Sequence, residues 1–129
     1  METKRKNFYT KSYPYPRRGE IHLVNFDPTI GSEIKKTRPA VIIQNDVSNE
    51  HSQVTIVAAI TSQINLPLYP NEILIKSPEG GLEKDSATLL NQIRSIDRKR
   101  LIKKMGAVSP ATLEKIENAL KISLGMVKF

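Results

Sequence analysis

Two stretches decide the fold: Pro39-Ala40-Val41-Ile42-Ile43-Gln44-Asn45, and Val54-Thr55-Ile56-Val57-Ala58-Ala59-Ile60-Thr61. Both are short, rich in β-branched residues and too apolar for strands with one wet face, so both belong inside a sheet covered on two sides. Upstream, Ile21, Leu23 and Phe26 alternate with polar residues from Glu20 onward, which predicts a half-buried strand ending at Asp27-Pro28. The polar segment Thr29 to Thr37, with Gly31 inside it, reads as a loop. Downstream, Asn71 to Lys76 and Ala87 to Arg94 read as further strands, separated by a turn through Pro78, Gly80 and Gly81. One helix has clear signals. Ser109 supplies a capping hydroxyl, Pro110 occupies the first helical position, Leu113, Ile116, Leu120 and Leu124 recur at helical spacing, and Gly125 stops it. Short strands, one terminal helix and no crossover helices predict a mainly β fold, a small barrel or partly open sheet.

At 129 residues the chain has room for one domain, because single cores commonly run to about 100 to 150 residues. The formal charge of +7 points to a polyanionic partner, and its distribution says more than its sum. Residues 1–18 carry Lys4, Arg5, Lys6, Lys11, Arg17 and Arg18 against Glu2, and residues 94–104 carry Arg94, Arg98, Lys99, Arg100, Lys103 and Lys104 against Asp97. Each segment nets +5, which leaves −3 for everything else. The first of them overlaps residues 1–16, an aperiodic stretch ending in Tyr13-Pro14-Tyr15-Pro16 that reads as a flexible basic arm before a domain spanning 17–129.

Several classes of chemistry lack their residues. There is no cysteine, so disulfides, thiolate zinc sites and cysteine nucleophiles are absent. The histidines are His22 and His51, and no phosphate-binding glycine loop, nucleophile elbow or HExxH motif occurs. No apolar run approaches the ~20 residues of a membrane span, and the basic N-terminus lacks the apolar stretch of a secretory signal, so the expected location is the cytoplasm.

Polar residues cluster where strands meet loops. In order they are Arg18-Gly19-Glu20-Ile21, Gly31-Ser32-Glu33, Arg38-Pro39-Ala40-Val41, Gln44-Asn45, Ala59-Ile60-Thr61-Ser62 and Leu90-Asn91-Gln92-Ile93-Arg94-Ser95-Ile96-Asp97. This ordered set resembles the MazF/PemK family of toxin–antitoxin endoribonucleases over residues 17–129. The resemblance implies an SH3-like small barrel of the CcdB/MazF type with a C-terminal helix, acting as a homodimer on single-stranded RNA without metal or cofactor. It also implies neutralisation by a cognate antitoxin, and operator DNA binding together with that antitoxin. The family's catalytic Arg and Thr fall on Arg38 and Thr61, and its RNA-binding positions on Ser32, Glu33, Lys36, Gln63, Gln92 and Arg94. Asn91 stands where some members carry an acidic residue, so a mechanism built on that carboxylate is not open to this chain.

Metal-free RNA cleavage uses the ribose 2′-hydroxyl as internal nucleophile and gives 2′,3′-cyclic phosphate and 5′-hydroxyl ends. It needs alignment, stabilisation of phosphorane charge and two proton transfers. The planar, permanently charged Arg38 suits the phosphorane oxygens but not the role of general base. Thr61 can donate to a nonbridging oxygen or orient the 2′-hydroxyl, and Glu33 and His51 are candidates for proton transfer. Two alternatives share the fold: a noncatalytic toxin that binds DNA gyrase as CcdB does, and an inactive RNA-binding barrel.

Overall fold

A computed structural model describes residues 13–128; residues 1–12 of the basic arm lie outside the described residues. The element order is β1 (Glu20–Asn25), β2 (Thr37–Ile42), helix α1 (Asp46–His51), β3 (Val54–Thr61), β4 (Glu72–Ile75), β5 (Ser86–Asp97), β6 (Leu101–Ala107) and helix α2 (Pro110–Ser123). The six strands form one antiparallel sheet in the order β4-β5-β3-β2-β1-β6. Among the described residues no helix is long and apolar enough to cross a membrane.

The two apolar runs occupy the sheet centre, and consecutive residues enter opposite cores. Val41, Ala58 and Ile60 join Ile21, Ile75, Leu90 and Ile116 under α2, whereas Ala40, Ile42, Val57 and Ala59 join Val24, Phe26 and Ile96 on the other face. This is why neither run shows a polar alternation: each strand buries both sides. Helix α2 begins and ends as its sequence predicts. Ser109 Oγ accepts the Thr112 N–H at 3.1 Å, and Gly125 takes φ 71° while Met126 N–H reaches back to Lys121 O at 2.8 Å. Leu124, which continues the apolar spacing, lies past the last turn and is 60% exposed.

Three departures from the sequence reading shape the molecule. Strand β2 stops at Ile42, and Asn45 caps the short helix α1 by accepting the Ser48 N–H at 2.8 Å. The buried member of α1 is Asn49, whose Oδ1 accepts from Gln44 Nε2 (3.0 Å) and Thr55 Oγ1 (2.7 Å) while its Nδ2 donates to Gln44 O (3.0 Å) and Asp46 Oδ1 (3.3 Å). Removing this amide strands the buried Thr55 hydroxyl and the half-buried Gln44 and Asp46, so Asn49→Ala is expected to cost about 3 kcal/mol, read as a lowered urea midpoint. Second, β5 runs on to Asp97 and slips register between Ala58, which faces Ile93, and Ala59, which faces Leu89. The extra residues bend the strand so that its two halves serve different parts of the sheet. Third, Leu101–Ala107 is the edge strand β6, pairing with β1 through two irregularities.

The sheet is not closed by strand pairing between β4 and β6. The gap is covered instead by the 3-10 turn Glu79–Gly81, whose backbone lies against β6: a Cβ on Gly106 would meet Gly80 C at 2.6 Å and O at 2.8 Å, and one on Gly81 would overlap the Met105 carbonyl. The backbone of the turn thus packs directly on the backbone of β6 at Met105 and Gly106.

At the β1–β6 seam, Glu20 is 7% exposed. Its Oε1 accepts the Arg17 N–H and His22 Nε2, both at 2.9 Å, and its Oε2 pairs with Lys104 Nζ at 3.0 Å. Burial alone would raise this carboxyl, but the hydrogen bonds from His22, the Arg17 N–H and Lys104 outweigh it and hold Glu20 below its usual value of 4.5. The folded value is the lower one, so the stabilisation is complete above the unfolded value and is lost as pH falls through the folded one. Glu20→Gln is expected to flatten the decline of the urea midpoint below about pH 4.5; an unchanged acid limb would refute this.

Candidate functional site

Registers bring Arg38 and Thr61 to one end of the sheet. The β2–β3 ladder pairs Ala40 with Ala59 and Val41 with Ala58, and Arg38 and Thr61 lie just beyond that end of it; Ile60 and Ser62, rather than Thr61, line the Arg38 cavity. Arg38 also faces Val24 of β1, and Thr61 faces Ala87 of β5. The Arg38 Nε–H reaches Lys35 O at 3.4 Å, and no carboxylate pairs with the guanidinium among the described residues. Arg38 lines a cavity of about 340 Å³ together with Ser62, Lys84, Ser86 and Lys103, with Glu83 as its one carboxylate among the described residues. Thr61 Oγ1 accepts the Gln63 N–H at 3.1 Å, which orients the hydroxyl and leaves its own hydrogen to donate.

A second group forms on the bent part of β5. Gln92 accepts the Ile34 N–H and donates to Ser32 O, both at 3.3 Å, and Arg94 Nη1 donates to Phe26 O at 2.6 Å. With Glu33 and Thr29 they border a cavity of about 70 Å³. Their hydrogen bonds go to backbone of the β1–β2 loop and of the residue where it begins. The Glu33 carboxylate accepts the Ile30 N–H at 2.6 Å, inside the loop itself. This loop is shared with the first group, since Lys35 receives the Arg38 bond. The acceptor of Arg94 is a neutral carbonyl, and no carboxylate pairs with its guanidinium among the described residues.

Lys36 and Gln63 sit apart from both groups. Lys36 takes φ 67°, its N–H bonds Asp27 Oδ1 at 2.9 Å and its side chain is exposed. Gln63 is exposed and borders a separate cavity of about 270 Å³ with Leu66, Tyr69 and Leu89. His51 ends α1 and lines none of these three cavities, while His22 is engaged with Glu20.

Sequence reasoning missed the basic and hydroxyl partners of Arg38. Lys103 belongs to the charged segment 94–104, but it reaches the cavity only because β6 pairs with β1, with Lys103 opposite Leu23. Lys84 arrives from the turn before β5 and Ser86 is the first residue of that strand, the two tied together by Ser86 Oγ donating to Lys84 O at 2.8 Å. Ser62 was inside a quoted motif, so its position next to Thr61 was a usable signal.

The family model described as "PemK-like, MazF-like toxin of type II toxin-antitoxin system" matches residues 17–124. Over 113 residues the chain is 45% identical to the endoribonuclease MazF of Staphylococcus epidermidis, an alignment covering 88% of this chain and 94% of the relative. The crystal structure of MazF from Deinococcus radiodurans superposes with a TM-score of 0.76 at 25% identity, covering 89% of this chain and all of the other. A mycobacterial endoribonuclease solved in complex with its cognate antitoxin superposes with a TM-score of 0.74 at 21% identity, covering 88% and 99%.

Proposed function

The chain belongs to the PemK-like, MazF-like toxin family of type II toxin–antitoxin systems, and we propose that it acts as an endoribonuclease toxin whose cleavage centre is the Arg38 cavity and the adjoining Thr61. The observation that carries this is the charge arrangement: a guanidinium with no carboxylate partner among the described residues borders a cavity it shares with Lys84, Lys103, Ser62 and Ser86. Such a site holds phosphate and meets added charge on phosphorus with a bidentate donor already in place. Arg38 stabilises the phosphorane and Thr61 donates to a nonbridging oxygen. Lys84 and Lys103 hold flanking phosphates, which gives binding without base choice. Gln92 and Arg94 fix the β1–β2 loop, so Ser32, Glu33 and Lys36 face RNA from a firm support, and Gln63 contacts it from the next loop.

The fuller arrangement is a cytoplasmic homodimer of residues 17–129, with residues 1–16 as a basic arm, blocked by an antitoxin segment and joined to operator DNA through that antitoxin. The antitoxin-bound mycobacterial neighbour supports the partner class. Gyrase binding without catalysis and RNA binding without cleavage are not favoured, because the 45% identical relative is an endoribonuclease. The test is incubation of the purified chain with mixed-sequence single-stranded RNA in EDTA. Fragments ending in 2′,3′-cyclic phosphate and beginning with 5′-hydroxyl are expected; RNA left intact across a wide range of sequences overturns the assignment.

A further inference from the structure

A cavity of about 520 Å³ lies at the β6 edge, between Tyr13, Tyr15 and Pro16 on one side and Lys99, Lys103 and Lys104 on the other. Its tyrosine wall precedes the segment matched to the family, yet it is fastened to the domain. Arg98 donates to Pro14 O at 2.7 Å and to Ser52 O at 3.2 Å, the Arg17 guanidinium lies 4.2 Å from the Tyr13 ring centroid, the Tyr13 and Tyr15 rings are 5.6 Å apart, and Pro16 is buried. Among the described residues the one carboxylate at the cavity is Glu20, which is saturated by Arg17 N–H, His22 and Lys104. Lys99 and Lys103 are exposed and, like Arg98, pair with no carboxylate among the described residues; the hydrogen bonds of Arg98 go to carbonyls. The cavity therefore offers aromatic rings beside uncompensated cations, the combination that holds single-stranded nucleic acid by stacking and phosphate attraction. Its volume is that of a site for a ligand of nucleotide size.

Lys103 borders both this cavity and that of Arg38. His22, opposite Lys104, and Leu23, opposite Lys103, are neighbours on β1 and point to opposite faces, so the two cavities open on opposite sides of the sheet and meet at β6, where Lys103 borders both. An RNA strand leaving Arg38 past Lys103 reaches the tyrosines by rounding β6.

We propose that the Tyr13–Pro16 segment and the β6 edge form a second nucleotide subsite, which takes a base of the RNA flanking the cleaved step on Tyr15 and its phosphate on Lys99 and Lys103. The subsite rests on the endoribonuclease assignment, and it gives the basic segment 94–104 a role in binding substrate length rather than in the chemical step. The experiment measures fluorescence anisotropy of the full chain with 2′-O-methyl single-stranded RNAs, one of core length and others extended on the 5′ or the 3′ side. Extension on one side is expected to tighten binding roughly tenfold, and Tyr15→Leu and Lys99→Gln should each remove most of that gain while affinity for the core oligonucleotide is kept. Lys99→Gln alters an exposed side chain and so guards against a folding artefact. Length-independent binding, or a gain that survives both variants, overturns the proposal. Loss of antitoxin affinity or self-association in the variants, with the RNA gain intact, assigns the cavity to a protein partner and overturns it as well. Cleavage of unmodified core RNA by the wild-type chain separates the two assignments: a chain that cuts it but gains nothing from extension lacks the subsite, whereas a chain that cuts no RNA fails as an endoribonuclease while anisotropy still decides the subsite.

Discussion

Arg38→Ala is expected to lower the single-turnover rate of RNA cleavage by about 10²- to 10³-fold, the usual loss when one pre-placed donor to developing charge is removed. The melting temperature should move by no more than about 3 °C, because the side chain is partly exposed and its one hydrogen bond among the described residues is the long contact to Lys35 O at 3.4 Å. Arg38→Lys keeps the charge and loses the planar fork, so it should fall between the two rates. Binding of a non-cleavable RNA should weaken far less than cleavage, since Lys84 and Lys103 remain to hold phosphate. A variant that cleaves at the wild-type rate removes Arg38 from the chemical step. One that loses binding and cleavage in equal measure makes it a docking residue.

The central sheet was legible because its physics is local. Runs such as Val41 to Ile43 and Val57 to Ile60 leave no wet face, and that alone places β2 and β3 between two cores. Helix α2 was equally legible, with cap, proline, spacing and terminal glycine in agreement. Helix α1 left no periodic trace: its buried contact is the polar Asn49, held by hydrogen bonds, and its only sequence mark was the capping Asn45. Strand β6 was hidden for a different reason. Lys103 and Lys104 interrupt its apolar residues, and its two irregularities with β1 break the alternation that marks a strand. The candidate site divides the same way. Arg38 and Thr61 were quoted in motifs, and the resemblance gave them roles that no pattern in the chain could supply. Lys84, Ser86 and Lys103 join Arg38 only through pairing of β6 with β1 and the placement of the turn before β5, and such long-range contacts leave no local signal.

The packing of the Glu79–Gly81 turn on β6 sets an effect on stability as large as that of Asn49→Ala. Gly81 and Gly125 both take positive φ, 78° and 71°, so an alanine at either meets the backbone strain of a left-handed L-residue, about 1 kcal/mol. The surroundings differ. Nothing lies within 4 Å of a Cβ at Gly125, whereas one at Gly81 would overlap the Met105 carbonyl oxygen, with Met105 C at 2.7 Å. Backbone cannot rotate away as a side chain can, so the turn and β6 must separate. Gly81→Ala is therefore expected to cost about 3 kcal/mol, lowering the melting temperature by roughly 10 °C, against a few degrees for Gly125→Ala. Gly106→Ala pushes on the same contact from the other side, against Gly80 C at 2.6 Å and Gly81 N at 2.9 Å, and should match Gly81→Ala. Leu82, Glu83 and Lys84 follow the turn, Lys103 and Met105 belong to β6, and together they make opposing walls of the Arg38 cavity. Separating them moves Lys84 from Lys103, so both interior glycine variants should also cleave RNA more slowly at temperatures where they remain folded, and Gly125→Ala should not. A loss at Gly81→Ala no larger than that at Gly125→Ala, with Gly106→Ala, whose φ is not positive, close to neutral, would show that strain at φ, not contact between the turn and β6, is what these glycines relieve.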